Sequence, residues 1–120
     1  MLDYLGVTSG KLLDVGCGAG LLLLVASQKG LDTYGIDISE EAVKIACDFS
    51  KTSHITTGNA LDLKFKDSTF DYLTCLGALE HFLDMDKGLQ EMKRVGREDC
   101  KFCVVVPNVH FVGWLFRGKQ

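Results

Sequence analysis

Three glycines at alternate positions, 16 to 20, constrain the fold more than any other feature of this chain. Before them, Lys11-Leu-Leu-Asp-Val-Gly16 is a short apolar run of the kind that forms a buried strand. After them, an apolar segment long enough for a helix ends with Lys29 in its last turn and Gly30 at its stop. A strand, a glycine turn and a helix in this order predict an α/β domain, where ligands bind beyond the carboxyl ends of the strands.

The rest of the chain repeats the alternation of strands and helices. Lys101-Phe-Cys-Val-Val-Val106 is a continuous apolar run, typical of a strand buried on both faces. The alternation predicts a mainly parallel sheet with helices on both sides. We predict strands at 11–16, 33–37, 53–57, 70–76 and 101–106, helices at 20–30, from Ser39 to Phe49 and at 84–95, and a loop at 59–69.

The second predicted helix has both a start signal and an apolar face. Ser39 can accept a hydrogen bond from the first turn, and Glu40 and Glu41 suit the positive end of the helix dipole. The residues at helical spacing that we expect to face the core are Ala42, Val43, Ile45, Ala46 and Phe49. In the third helix the inward residues are Leu89, Met92 and Val95.

Composition narrows the class of protein. A chain of 120 residues, 47% hydrophobic and 24% charged, is expected to form one globular domain, residues 1–120. We expect no membrane span, because no apolar stretch reaches roughly 18 residues. The net charge of −3 argues against nucleic-acid binding. The chain has five cysteines without a regular framework, which favours a reducing, cytoplasmic setting: Cys17, Cys47, Cys75, Cys100 and Cys103.

The end of the chain, residues 108–120, has a high aromatic content for a terminus and includes Phe111, Trp114 and Phe116. An exposed apolar cluster of this kind needs a cover. We expect a part of the protein outside this chain to cover it, or a partner, with a homodimer through this tail as one form.

Glycine spacing and charge decide between ligands. A dinucleotide fingerprint, G-x-G-x-x-G, would need glycine at 21, which is Leu21. No glycine is followed by Lys-Ser or Lys-Thr in the frame of a phosphate-binding P-loop. Asp14 places a carboxylate at the tip of the first strand, which disfavours a pyrophosphate and favours an ammonium or sulfonium group. The glycine spacing therefore argues against both phosphate-binding loops, and the charge of Asp14 points to a cationic ligand.

Polar residues follow the next strands at the same predicted edge. Asp37 ends the second strand and can accept both hydroxyls of a ribose. Asn59 follows the third strand and can accept from an adenine amino group, while the Ala60 N–H can donate to a ring nitrogen. The segment 76–81, Leu-Gly-Ala-Leu-Glu-His, follows the fourth strand and would border the same cleft.

These residues, in this order, resemble the motifs of class I S-adenosylmethionine-dependent methyltransferases, most closely the type-11 group. Leu12-Leu-Asp-Val-Gly-Cys-Gly-Ala-Gly20 is similar to motif I, and Tyr34-Gly-Ile-Asp-Ile38 resembles the acidic second motif. Gly58-Asn-Ala-Leu-Asp-Leu-Lys-Phe65, followed by Phe70-Asp-Tyr72, resembles the third block. Leu89-Gln-Glu-Met-Lys-Arg-Val95 and Val105-Val-Pro-Asn108 resemble the helix and strand that follow.

The resemblance implies a Rossmann-like, doubly wound parallel sheet of strand order 3-2-1-4-5 with helices on both faces. The family core has seven strands and five are visible here, so we expect the final two to be missing and the domain to be incomplete at its C-terminus. Much of the family's substrate pocket lies in those parts.

The resemblance also implies S-adenosyl-L-methionine as cofactor and a role for each motif residue. Gly16 and Gly18 would line its methionine part, and Asp14 would orient the amine. Leu76 would offer its carbonyl to the methionine ammonium. Asn59 stands where aspartate is commoner, and its amide oxygen still accepts from adenine. The full set of predicted cofactor residues is Asp14, Gly16, Cys17, Gly18, Gly20, Asp37, Ile38, Asn59, Ala60, Leu61, Leu76 and Gly77.

Methyl transfer from a sulfonium to a small-molecule acceptor is an in-line displacement that needs mainly alignment and exclusion of water. Where the acceptor must lose a proton, His81 and His110 are the candidate general bases, although each could instead serve only in packing. Cys100 and Cys103 have C-x-x-C spacing without a second Cys or His pair, so we expect no metal. The alternative is a catalytically inactive or truncated cofactor-binding module that acts as an interaction protein.

Overall fold

The computed structural model describes residues 9–76, 84–106 and 109–114. Its six strands form one sheet with the order β3-β2-β1-β4-β5-β6, in which β1 to β5 are parallel and β6 is antiparallel to β5. The strands are β1 Lys11–Val15, β2 Asp32–Asp37, β3 His54–Thr57, β4 Phe70–Leu76, β5 Gly96–Val106 and β6 Val109–Trp114. The helices are α1 Leu21–Gln28, α2 Glu40–Phe49 and α3 Met85–Val95. The predicted parallel sheet of order 3-2-1-4-5 is confirmed.

The sixth strand was not predicted. Residues 109–114, read from the sequence as part of an aromatic tail, pair with β5 from Val106↔Val109 to Lys101↔Trp114. Val-His-Phe-Val-Gly-Trp is rich in β-branched and aromatic residues, so its composition suits a strand. The sheet therefore has one antiparallel strand in addition to the five parallel strands that the sequence predicts.

Each face of the sheet has its own core. On one face Leu12 and Ile55 pack with Leu23 of α1 and Val43 of α2. On the other face Leu13 and Leu73 belong to a cluster with Met92 and Val95 of α3 and with Leu63 of the loop after β3. Neighbouring residues of β1 thus point to opposite cores, as strand geometry requires. The predicted cover of helices on both faces is confirmed.

Helix ends follow the predicted signals. Gly30, with a φ of 97°, ends α1, and the Leu31 N–H donates back to Ala26 O at 3.2 Å. Ser39 Oγ accepts from the Ala42 N–H at 3.1 Å and caps α2. Asp84 caps α3 in the same way through Lys87 N.

The predicted apolar face of α2 is partly wrong. Val43 and Ala46 are buried, but Ile45 is 51% exposed and Phe49 is 48% exposed. Val43 and Ala46 share the stripe that faces the sheet, whereas Ile45 and Phe49 lie toward the side of the helix. No helix within the described ranges is long and apolar enough to cross a membrane.

Candidate functional site

Three glycines with positive φ shape the turn between β1 and α1. Gly16, Gly18 and Gly20 have φ angles of 76°, 53° and 90°, a region that favours glycine. The Gly16 and Cys17 N–H groups both donate to Ile36 O, at 2.8 and 2.9 Å. The turn is therefore fixed against the end of β2, the neighbouring strand.

Gly18 is the open point of this turn. A Cβ added there would meet no described heavy atom within 4 Å. At Gly20, by contrast, an added Cβ would lie 3.0 Å from Ala46 Cβ of α2. One glycine thus leaves room for a ligand beside the backbone, and the other allows two elements to pack closely.

Asp37, the last residue of β2, is oriented by two backbone donors. Its Oδ2 accepts from the Gly18 N–H and its Oδ1 from the Ser39 N–H, both at 2.9 Å. Each carboxylate oxygen can accept a second hydrogen bond, so the group keeps acceptor capacity for a ligand diol. The sequence placed Asp37 beside the glycine turn, and the structure brings the two into direct contact.

Asp14, near the end of β1, is a buried carboxyl with 3% exposure. Thr74 of β4 donates to its Oδ1 at 2.8 Å. Burial raises the pKa of Asp14 from 3.8 to about 7, the Thr74 hydrogen bond opposes that rise, and the negative charge of Asp37 adds to it. Two carboxylates therefore act on the same region of the carboxyl edge.

Thr74 was missed by the sequence analysis. It is a fully buried polar residue between two fully buried apolar residues of β4, Leu73 and Cys75. A buried hydroxyl needs a partner, so a polar residue inside a buried strand was the available signal.

Cys17 sits inside the glycine turn and is buried. Burial, followed by the charges of Asp14 and Asp37, raises the pKa of its thiol to about 12. A thiol with this pKa is protonated at neutral pH and does not act as a nucleophile.

The loop after β3 is hydrogen-bonded to the backbone of the same residue, Asp37. The Gly58 N–H donates to the backbone carbonyl of Asp37 at 3.0 Å. Asn59 Oδ1 accepts from the Leu61 N–H at 2.9 Å, and Asn59 O accepts from the Asp62 N–H at 3.0 Å. Asn59 thus closes a tight turn through the oxygen that the sequence analysis assigned to adenine, and that oxygen retains a second lone pair.

Apolar surface lies beside these polar groups. Ile38 follows Asp37 and is 76% exposed, and Leu21 follows Gly20 and is 65% exposed. An exposed apolar side chain next to hydrogen-bonding groups is typical of a small-molecule site.

The remaining predicted residues lie on or after β4 and on β6. Gly77 and His81 fall outside the described residues. Leu76 ends β4, and the register aligns it with Val105 of β5 and, across that strand, with His110 of β6. His110 therefore lies two strands from Leu76.

A polar cavity of about 700 Å³ lies at the opposite edge of the sheet, near Gly10, Asp71 and Arg97. Gly10 precedes β1 and Asp71 is near the start of β4, so this is the amino-terminal edge. None of the predicted site residues lines it. The described residues contain no cluster of three or more Cys, His, Asp or Glu that could hold a metal ion.

Comparisons with known proteins agree with these motifs. A family model described as a methyltransferase domain matches residues 13–104. An uncharacterised methyltransferase, YcgJ of Bacillus subtilis, is 34% identical over 100 residues, which is 79% of this chain and 40% of that protein. Norajmaline N-methyltransferase of Rauvolfia serpentina is 38% identical over 92 residues, covering 71% of this chain and 32% of that enzyme.

Solved structures share this fold. The crystal structure of YcgJ matches with a TM-score of 0.82 at 30% identity, covering 88% of this chain and 48% of that chain. The [4+2]-cyclase SpnF matches with a TM-score of 0.80 at 28% identity, covering 86% of this chain and 41% of that chain. This chain spans less than half of the length of each of these proteins.

Proposed function

Because the chain belongs to the methyltransferase-domain family, we propose that it binds S-adenosyl-L-methionine at the carboxyl edge of β1 and β2 and transfers the methyl group to a small-molecule acceptor. The observation that carries the proposal is the contact between the glycine turn and Asp37, with Asp14 buried beside them. These groups suit the parts of one ligand, namely an amine, a sulfonium and a ribose.

Charge separates this ligand from a dinucleotide. Asp14 and Asp37 attract a molecule that carries an ammonium and a sulfonium, whereas a pyrophosphate beside them would be repelled. The backbone at Gly18 leaves the space that the methionine part needs.

The nucleoside part would lie along the end of β2. Asp37 would accept from the ribose hydroxyls through the lone pairs that its two backbone donors leave unused. Ile38 would cover one face of the adenine, and the segment 59–61 would contact its edge. Leu76 and Gly77 would complete the methionine end.

When bound, the cofactor supplies a methyl group that is already activated by a positive sulfur. The chain then has to align the acceptor in line with that group and to exclude water. Where the acceptor must lose a proton, His81 or His110 would take it, and an acceptor that needs no deprotonation would require neither.

Calorimetric titration with S-adenosyl-L-methionine and with NAD tests the binding step. We expect heat from the first and none from the second, and a loss of at least about tenfold in affinity in Asp37→Ala, where the ribose acceptor is removed. Tight binding of NAD without binding of S-adenosyl-L-methionine would overturn the proposal. Arg97→Gln at the opposite edge is the matched control.

A second candidate is a module that binds the cofactor without methylating anything. One observation favours it: one structural relative is named as a cyclase. Incubation with labelled S-adenosyl-L-methionine and metabolite pools separates the two. Transfer of label supports the first, whereas intact binding with no transfer to O, N, S or C acceptors supports the second.

Two further expectations belong to this proposal. We place the protein in the cytoplasm because none of its described cysteines is in a disulfide; four of them are buried and Cys47 is exposed. The homodimer through residues 108–120 stays a prediction, which sedimentation of the purified protein checks.

A further inference from the structure

Arg94 of α3 uses all five donors of its guanidinium, and three of them hold the loop after β3. Its NH2 donates to Leu63 O at 2.8 Å, and its NH1 donates to Phe65 O at 2.9 Å and to Asp67 Oδ1 at 2.7 Å. Its remaining donors bind both oxygens of Glu91, with Nε at 2.8 Å and NH2 at 3.1 Å. An arginine has five N–H donors in a fixed plane, and all five are used here.

Glu91 of α3 binds the same loop residue, Leu63, through its backbone N–H. Its Oε1 accepts from the Leu63 N–H at 2.8 Å, so both the amide and the carbonyl of Leu63 are bound by α3. The hydrogen bond from Arg94 lowers the pKa of Glu91, which keeps this carboxylate ionised at neutral pH. The side chain of Leu63 is 4% exposed and packs into the core on the same face as α3.

The other end of this segment is fixed as well. Gly58 donates to the carbonyl of Asp37, the residue proposed to hold the ribose. Only four residues, 59–62, separate Gly58 from Leu63, and the turn at Asn59 spans them. A short segment held at both ends has little freedom, so a change at Leu63 alters the geometry at Asn59 and Ala60.

We propose that Arg94 and Glu91 are positioning residues for the base-reading segment 59–61 and that they set its preference for an adenine over a 6-oxopurine. This inference rests on the proposed function. Arg94 itself touches the loop carbonyls, and its effect on the base acts through Leu63.

The test compares two ligands that differ only at the purine 6-position, S-adenosylhomocysteine and S-inosylhomocysteine. Asn59 Oδ1 can accept from a 6-amino group and would face a lone pair of a 6-oxo group. We expect the protein to bind the adenine ligand about tenfold more tightly. In Arg94→Gln the affinity for the adenine ligand should fall about tenfold and the ratio of the two dissociation constants should approach one.

Three controls keep the result specific. Arg97→Gln removes an arginine that pairs with Asp71 at 3.2 Å at the opposite edge and should leave the ratio unchanged. Asp67→Ala removes one partner of Arg94 and keeps both loop carbonyl contacts, so the ratio should also stay. Arg94→Lys keeps the charge without the planar fork and should restore only part of the preference.

Failure of the two proposals looks different. If the unchanged protein binds neither ligand, the proposed function is wrong. If it binds both ligands with the expected preference and folded Arg94→Gln keeps the same ratio, the positioning role is wrong. Where Arg94→Gln does not fold, Glu91→Ala decides, because it removes the acceptor of the Leu63 N–H: a reduced ratio supports the role, and an unchanged ratio overturns it.

Discussion

The turn after β1 and the loop after β3 meet at Asp37, but they are held in different ways. The turn is fixed by glycines with positive φ and by backbone hydrogen bonds to Ile36. The loop is fixed by side chains of α3, with Arg94 bound to carbonyls 29 and 31 residues earlier in the chain. The conformation of the turn is set by glycines within it, whereas the loop depends on a helix that folds onto it from far along the sequence.

The largest expected loss of stability comes from replacing Gly20 in the turn after β1. Gly20→Ala places a Cβ at a φ of 90° and 3.0 Å from Ala46 Cβ, so we expect the free energy of unfolding to fall by about 3 kcal/mol. Gly18→Ala is the matched control, because its φ is also positive but its surroundings are open, and it should cost about 1 kcal/mol. Urea unfolding measures both, and equal losses would show that packing against α2 is unimportant.

In the loop after β3, replacement of Arg94 should cost less stability than Gly20→Ala does in the turn. Arg94→Gln removes charge-assisted hydrogen bonds from a partly buried group, so we expect about 2 kcal/mol less stability. Amide hydrogen exchange separates the two regions in the same sample. The Leu63 amide should exchange faster, while the Gly16 and Cys17 amides, bound to Ile36 O, should keep their protection. Faster exchange at all three would mean that the two regions do not act separately.

The two regions also differ in how much of each could be predicted. The turn, β1 to β5 and the caps at Ser39 and Gly30 follow from patterns within a few residues. The hydrogen bond from Thr74 to Asp14 joins residues 60 positions apart, and periodicity carries no information about such a pair. Arg94 lay in a recognised motif without an assigned role, since two of its partners are backbone carbonyls of the loop, which every sequence has.

Exposure was predicted less well than element type. The helical spacing of Ile45 and Phe49 was correct, but whether a residue at the side of a helix is covered depends on its neighbours in space. Strand β6 was missed because an aromatic, β-branched segment near a terminus reads equally well as an uncovered tail.

Asp14, which lies just before the glycine turn, should make both stability and ligand binding depend on pH. Its folded pKa of about 7 lies above the unfolded value of 3.8, so the folded state holds the proton more tightly. The stabilisation that comes from protonated Asp14 is fully present below about pH 4 and is lost as the pH rises to about 7. The ionised form is the one that attracts an ammonium, so the affinity for S-adenosyl-L-methionine should be about tenfold weaker at about pH 6 than at about pH 8.

Asp14→Asn tests this assignment with an isosteric neutral group. We expect both the fall in stability between about pH 4 and pH 7 and the rise in affinity near pH 7 to become shallower. Calorimetry in two buffers of different ionisation heat should also detect proton release on binding to the unchanged protein at pH about 7 and none in the variant. An unchanged pH profile in Asp14→Asn would assign the titration to another group.

The smallest expected effect lies at Asn59, where the loop is held by a side chain of its own. Asn59→Asp keeps an oxygen that accepts from the Leu61 N–H, so the free energy of unfolding should change by less than about 0.5 kcal/mol. A carboxylate is the stronger acceptor for an amino group, so affinity for S-adenosylhomocysteine should rise by a few-fold. Asn59→Ala loses the turn acceptor and should cost about 1 kcal/mol together with the preference for adenine. If Asn59→Ala changes stability but not the preference, Asn59 only closes the turn, and the base is read by the backbone that Arg94 and Glu91 hold in place.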